Sequence, residues 1–153
     1  KIYTDKNIWK AKARKVYVTI ENLTLLKASS GSNVKSESVI NTNEIYIDAS
    51  SGASIDIEVV AKSAVTEASS GSDVKIKGTT INHTARASSG SSINAYKLKS
   101  TNANASASSG ASIHIYASKN MDAKASSGGA IDYTGNPTRI NKEASSGGSI
   151  SIN

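Results

Sequence analysis

The chain alternates apolar and polar residues in short bursts, and the bursts return in register. The string Ala-Ser-Ser-Gly begins at Ala28, Ala49, Ala68, Ala87, Ala107, Ala125 and Ala144, at intervals of 21, 19, 19, 20, 18 and 19 residues. Six residues after each motif alanine stands Val34, Ile55, Val74, Ile93, Ile113, Ile131 or Ile150, all β-branched. Eight residues after it stands Ser36, Ile57, Ile76, Ala95, Ile115, Tyr133 or Ile152. Apolar residues two apart mark a strand that buries one face. A second stretch of the same phase leads into the motif: Ile45 and Ile47, Ala64 and Thr66, Ala103 and Ala105, Met121 and Ala123. Each unit therefore reads as strand, Ser-Gly corner, strand and polar turn.

Ser and Gly alone would pass for a flexible linker. A linker has no reason to hold a period, and internal periodicity decides architecture before local propensity does. A unit of about 19 residues leaves no room for a helix between paired parallel strands. It fits one coil of a β-solenoid. Each coil advances by the strand spacing, so seven coils make a rod on the order of 34 Å long. The expected fold is all-β: one parallel β-helix domain over residues 1–153, with about seven coils of roughly 19 residues. Residues 1–27 are read as an N-terminal strand and cap region, truncated at its start, and 28–153 as the repeat coils.

This register assigns sides. The motif alanine and the second motif serine (Ser30, Ser51, Ser70, Ser89, Ser109, Ser127, Ser146) are expected inside, where the hydroxyls must find partners. The first motif serine (Ser29 to Ser145) is expected to form an outward ladder, a hydroxyl array for which ice binding is one conceivable use. The motif glycine is expected at a left-handed corner. Seven residues past the motif alanine, Lys35, Asp56 and Lys75 bring opposite charges side by side on successive coils. Val16–Ile20 alternates as a strand and is expected to start the stack, with Trp9 capping its end. Tyr133 should fill a wider coil, and Pro137 should fix a Gly-Asn-Pro turn.

Composition fits a thin core. Apolar residues make up 37% of the chain, with no Phe, one Trp and six Tyr. There is no Cys, which excludes a disulfide framework and a thiolate metal site. No run of 18 apolar residues suggests a membrane span. The net charge of +6 is concentrated: residues 1–15 carry +5 and the rest +1. No nucleic-acid motif accompanies the basic segment. With Lys1 in place of an initiator Met, the chain is expected to begin after processing or trimming.

The Ser-Gly-x-x-Ile/Val units resemble the bacterial auto-transporter adhesin head GIN domain family. They end in Ile131-Asp132-Tyr133-Thr134-Gly135-Asn136-Pro137, followed by Ser146-Gly147-Gly148-Ser149-Ile150. The resemblance spans roughly residues 16–153. It implies a right-handed parallel β-helix and an exported or cell-surface setting, and it offers no catalytic residues to carry over. Family members usually carry further strands before the segment matching Ile2–Ile20.

No Walker loop, HExxH, GxSxG or dinucleotide fingerprint is present. His83 and His114 occupy different columns without a second ligand, so each is read as solvated or hydrogen-bonded. The repeat is neither short nor acidic enough for a calcium β-roll. Glycan-cleaving β-helices wall their clefts with long loops, and a period that never exceeds 21 residues leaves none between motifs. No enzyme and no cofactor are expected.

A binding face is a better fit. Nine residues past the motif stand Glu58, Lys77, Tyr96, Tyr116 and Thr134, with Tyr96 and Tyr116 expected as stacked, solvent-facing neighbours. Asn94, His114 and Asp132 lie beside them. Aromatic faces flanked by amide and carboxylate groups suit sugar rings. The candidate ligand-binding residues are therefore Lys77, Asn94, Tyr96, His114, Tyr116 and Asp132, and the expected partner is a glycan or another surface component. The alternative is an aromatic pair that only stabilises the sheet, by a few tenths to about 1 kcal/mol. The leading function is a non-enzymatic cell-envelope or extracellular adhesin head. A structural spacer or assembly solenoid is the rival, and a carbohydrate-active enzyme ranks below both.

Overall fold

The computed structural model describes residues 15–153. Trp9 and most of the basic N-terminal segment lie outside the described residues. Within them the chain forms twelve strands and no helix. They are β1 (Leu25–Ala28), β2 (Asn33–Lys35), β3 (Ile40–Ala49), β4 (Ser54–Ala68), β5 (Asp73–Ala87) and β6 (Ser92–Ala95). There follow β7 (Leu98–Ala107), β8 (Ser112–Tyr116), β9 (Asn120–Ala125), β10 (Ala130–Thr134), β11 (Arg139–Ala144) and β12 (Ser149–Ile152).

All pairings are parallel and join one coil to the next. One face runs β2, β4, β5, β6, β8, β10, β12, and the other runs β1, β3, β4, β5, β7, β9, β11. Strands β4 and β5 are long enough, at 15 residues each, to bend through both faces. The chain is thus a parallel β-solenoid of about seven turns.

The core is built of files along the stack. Val34, Ile55, Val74, Ile93, Ile113, Ile131 and Ile150 are register partners in succession. The five central members are fully buried. The motif alanines form a second file, buried from Ala28 to Ala125, while Ala144 in the last coil is exposed. Small and β-branched residues suffice because each stacks on its own kind, which explains a core without Phe. Tyr133 points inward as expected, 3% exposed.

The corner corrects one expectation. The second motif serine is exposed, not inward, and it holds a positive φ of 48–56° in all seven coils. The glycine after it sits at 68–76°. With the bond from Ser32 N to Ser29 O (3.2 Å) and its equivalents, each motif is a turn with both central residues left-handed, the type I′ pattern. The ladder continues through the turns: Gly52 N donates to Ser70 O, Gly71 N to Ser89 O and Gly90 N to Ser109 O. The first motif serines are half-buried in the five central coils and exposed in the outer two.

Two inward hydroxyls, Ser72 and Ser91, stand four residues past a motif alanine. Ser72 Oγ accepts from Ser69 N (3.0 Å) and donates to Ala49 O (2.8 Å). Ser91 Oγ repeats the pattern with Ser88 N and Ala68 O. One further expectation fails. Val16–Ile20 forms no strand and is exposed, so β1 is the first strand among the described residues. Lys35, Asp56 and Lys75 are neighbours in register, as expected, and the Lys75 ammonium lies 3.6 Å from Asp73. Cross-coil ion pairs form just before the motif, at Lys27–Asp48, Arg86–Glu67 and Lys124–Glu143, and past it at Lys77–Glu58. Pairs this exposed contribute little each.

A candidate ligand-binding face

Asn94, His114 and Asp132 follow one another in register on the outer side of β6, β8 and β10. Alternation puts them outward, because Ile93, Ala95, Ile113 and Ile115 take the inward positions. Ser151 continues the file on β12.

Tyr96 departs from expectation. β6 ends at Ala95, and Tyr96 and Lys97 form a turn before β7 starts at Leu98. This coil has a 20-residue interval where its predecessor has 19, and the extra residue lifts Tyr96 off the strand. Its ring packs on His114 rather than forming a stacked pair with Tyr116. The ring centroids are 4.9 Å apart at 43°.

A hydrogen-bonded chain follows. His114 Nδ1 lies 2.9 Å from Tyr96 Oη and 3.3 Å from Asp132 Oδ2. Asn153 Nδ2 donates to Tyr96 Oη (3.0 Å), and Ser151 Oγ donates to Asp132 Oδ1. A carboxylate only accepts, so Nδ1 carries the proton and shares it between Asp132 and Tyr96. In the neutral ring this leaves Nε2 as an acceptor and the Tyr96 hydroxyl as a donor, neither with a partner among the described residues. His114 and Asp132 side chains remain about a third exposed, 30% and 35%. The arrangement can meet a diol: one hydroxyl donates to Nε2, and the next accepts from Tyr96.

Tyr116 partners Thr134 in register, and the Lys99 ammonium stands 3.9 Å from its ring centroid. Half-buried, it offers one face less to a sugar than a bare aromatic. Lys77 lies on an earlier coil, ion-paired with Glu58 at 3.1 Å, beside a groove of about 480 Å³ lined also by Lys35, Asp56 and Ile57. The structure thus brings together Asn94, Tyr96, His114 and Asp132, places Tyr116 beside them, and leaves Lys77 engaged elsewhere.

Sequence reasoning missed Lys99, Ser151 and Asn153. Ser151 and Asn153 were legible from their files, seven and nine residues past the last motif alanine; Lys99 reaches the site through the length of its side chain. It also missed an amide ladder on the opposite face, where Asn102 Nδ2 donates to Asn82 Oδ1 (2.8 Å) and Asn120 Nδ2 to Asn102 Oδ1 (2.7 Å). All three asparagines stand five residues before a motif alanine, a recurrence visible in the sequence.

His83 is buried, 1% exposed. It stands in a core file between Ala64 and Ala103, whose small side chains leave room for the ring. Nε2 meets Thr66 Oγ1 at 3.2 Å, while Nδ1 is buried without a partner. Burial drives its pKa down to about 4. On the outer surface, a hydrogen bond to Glu67 and partial burial push the Tyr46 phenol up to about 12.

Fold and face together define a parallel β-solenoid carrying an exposed polar and aromatic strip. The family described as "Putative auto-transporter adhesin, head GIN domain" matches residues 1–137, and the chain belongs to that family. The match starts earlier than the Ser-Gly resemblance and stops before the last coil, in place of the 16–153 expected. Among curated proteins none matches. Two solved structures share the fold. One is a putative adhesin from Bacteroides fragilis, 22% identical with a TM-score of 0.73, covering 79% of this chain and 56% of that one. The other is a putative lipid binding protein from Parabacteroides distasonis, 19% identical with a TM-score of 0.78, covering 86% of this chain and 54% of that one. The chain spans little more than half the length of either.

Proposed function

We propose that this chain is a non-enzymatic binding module of an exported, surface-displayed protein, and that the strip around Tyr96, His114 and Asp132 holds a carbohydrate. The observation that carries the reading is the pre-set network on the flat outer face. A carboxylate orients an imidazole, the imidazole supports a tyrosine ring, and the partly exposed pair keeps hydrogen-bonding capacity for a ligand. Pre-organisation of this kind lowers the ordering cost of binding. Asn94 extends the strip by one coil and Tyr116 borders it, giving hydrogen-bonding groups at the strand spacing of about 4.8 Å. Membership of an adhesin family supports the surface setting.

The test is a glycan array with the wild-type chain and the double variant Tyr96→Ala/Tyr116→Ala. The wild type binds a defined set of glycans and the double variant loses them, while circular dichroism shows the same strand content. His114→Gln, which keeps the size of the side chain, weakens the same set. An unchanged array profile for either variant contradicts the reading. So does a wild type that binds no glycan but self-assembles with concentration in light scattering, the behaviour of a structural spacer.

A further inference from the structure

Charge is unevenly distributed over the strip. In the described coils from Ser92 onward, the outward positions of β6, β8, β10 and β12 carry one carboxylate, Asp132. That carboxylate is engaged by His114 on one oxygen and Ser151 on the other. Two cations flank the strip, Lys97 in the turn after Tyr96 and Lys99 on β7. Neither ammonium meets a carboxylate among the described residues, unlike Lys75, Lys77 and Lys124, which each have one. Lys99 is also held in place. Its ammonium lies over the Tyr116 ring, and cation–π contact fixes position without neutralising charge.

From this we infer that the ligand of the face is an acidic saccharide, whose carboxylate docks on Lys99 while its ring hydroxyls meet Tyr96 and His114. The inference rests on the reading of this strip as a carbohydrate site. A neutral glycan would leave the Lys99 ammonium to water. An acidic one pairs with a cation already positioned beside the aromatic ring, so little side-chain freedom is lost on binding. Lys77, the cation read from the sequence, has its charge spent on Glu58. The anion-recognising role falls to Lys99.

The experiment uses immobilised matched pairs of oligosaccharides, each a uronate-containing chain and its methyl ester. The wild type prefers the free acid by about fivefold or more, a preference that shrinks with added salt. Lys99→Gln binds acid and ester alike at the ester's level, Lys99→Arg restores the preference, and Lys77→Gln leaves it intact. Equal wild-type binding to both members of each pair overturns the acidic assignment and leaves the carbohydrate reading standing. So does a preference that survives Lys99→Gln. Binding to neither member, with no neutral glycan bound on the wider array, overturns both. Sulfated analogues on the same array separate carboxylate recognition from general anion capture, and an equal response to sulfate overturns the carboxylate assignment.

Discussion

The second serine of every motif occupies backbone space that an L-residue enters at a cost of roughly 1–2 kcal/mol. From the second motif on, it is tolerated because its carbonyl is locked by the glycine N–H of the preceding coil, so the turn cannot relax without breaking the ladder. Its hydroxyl takes part in none of the side-chain hydrogen bonds described. Asn adopts the left-handed conformation more readily. The paired change Ser70→Asn/Ser89→Asn should therefore raise stability by about 0.5–1 kcal/mol per site, read as a higher urea midpoint. A lower midpoint would show that the serines are held for a contact not recognised above.

A second residue carries a pH signature. Burial lowers the His83 pKa to about 4 from an ordinary 6.5, so the folded chain holds the ring neutral. The unfolded chain takes up a proton below about pH 6.5, and stability falls as pH drops from there towards 4. Between pH 6.5 and 5 this costs on the order of 2 kcal/mol. Urea unfolding at the two pH values measures it. His83→Gln should flatten the difference, and an equal difference in the variant would sink the assignment. The sequence pointed to a histidine but not to its burial. The clue was the file it shares with Ile45, Ala64, Ala103 and Met121, which sits four residues before each motif.

At the scale of elements, the corner between faces depends on close backbone approach. Gly78 lies inside β5 at φ 118°, and a Cβ there would come within 1.9 Å of Val59 O, its register partner on β4. Gly71, a motif glycine at φ 69°, would meet nothing within 4 Å. Both substitutions strain the backbone, but only one also drives an atom into the neighbouring coil. Gly78→Ala should cost about 3 kcal/mol and Gly71→Ala about 1 kcal/mol, compared by chemical denaturation. Similar losses would show that the corner can open. The strand elements were legible because period-2 burial has a sharp signature. The conformation of the Ser-Ser-Gly turn was not, because inward alternation was carried one residue too far. Alternation stops where a tight turn reverses the side-chain direction. In the candidate face, the file Asn94–His114–Asp132 was readable from spacing. The position of Tyr96 was not, since a one-residue excess in a coil places its bulge anywhere between the two motifs.

Across the whole molecule, sevenfold recurrence becomes seven stacked coils, and each coil is supported by its neighbours alone. This is why the fold could be read with so few large apolar residues. Register, rather than bulk, specifies the core. The ends are where the reading weakened. Val16–Ile20 has the alternation of a strand but no strand pairing, which local pattern cannot foresee. The stack itself can be tested in a chain that has no cysteine of its own. Lys75 and Asn94 are register partners on the outer side of β5 and β6. Strand spacing sets their Cα atoms about 4.8 Å apart, within disulfide range, whereas Lys75 and Ser92, two residues out of register, are about 8 Å apart and beyond it. Under mild oxidation Lys75→Cys/Asn94→Cys should cross-link rapidly within one molecule, and Lys75→Cys/Ser92→Cys should remain reduced. Equal cross-linking of the two pairs, or preference for the second, would contradict the alignment of successive coils.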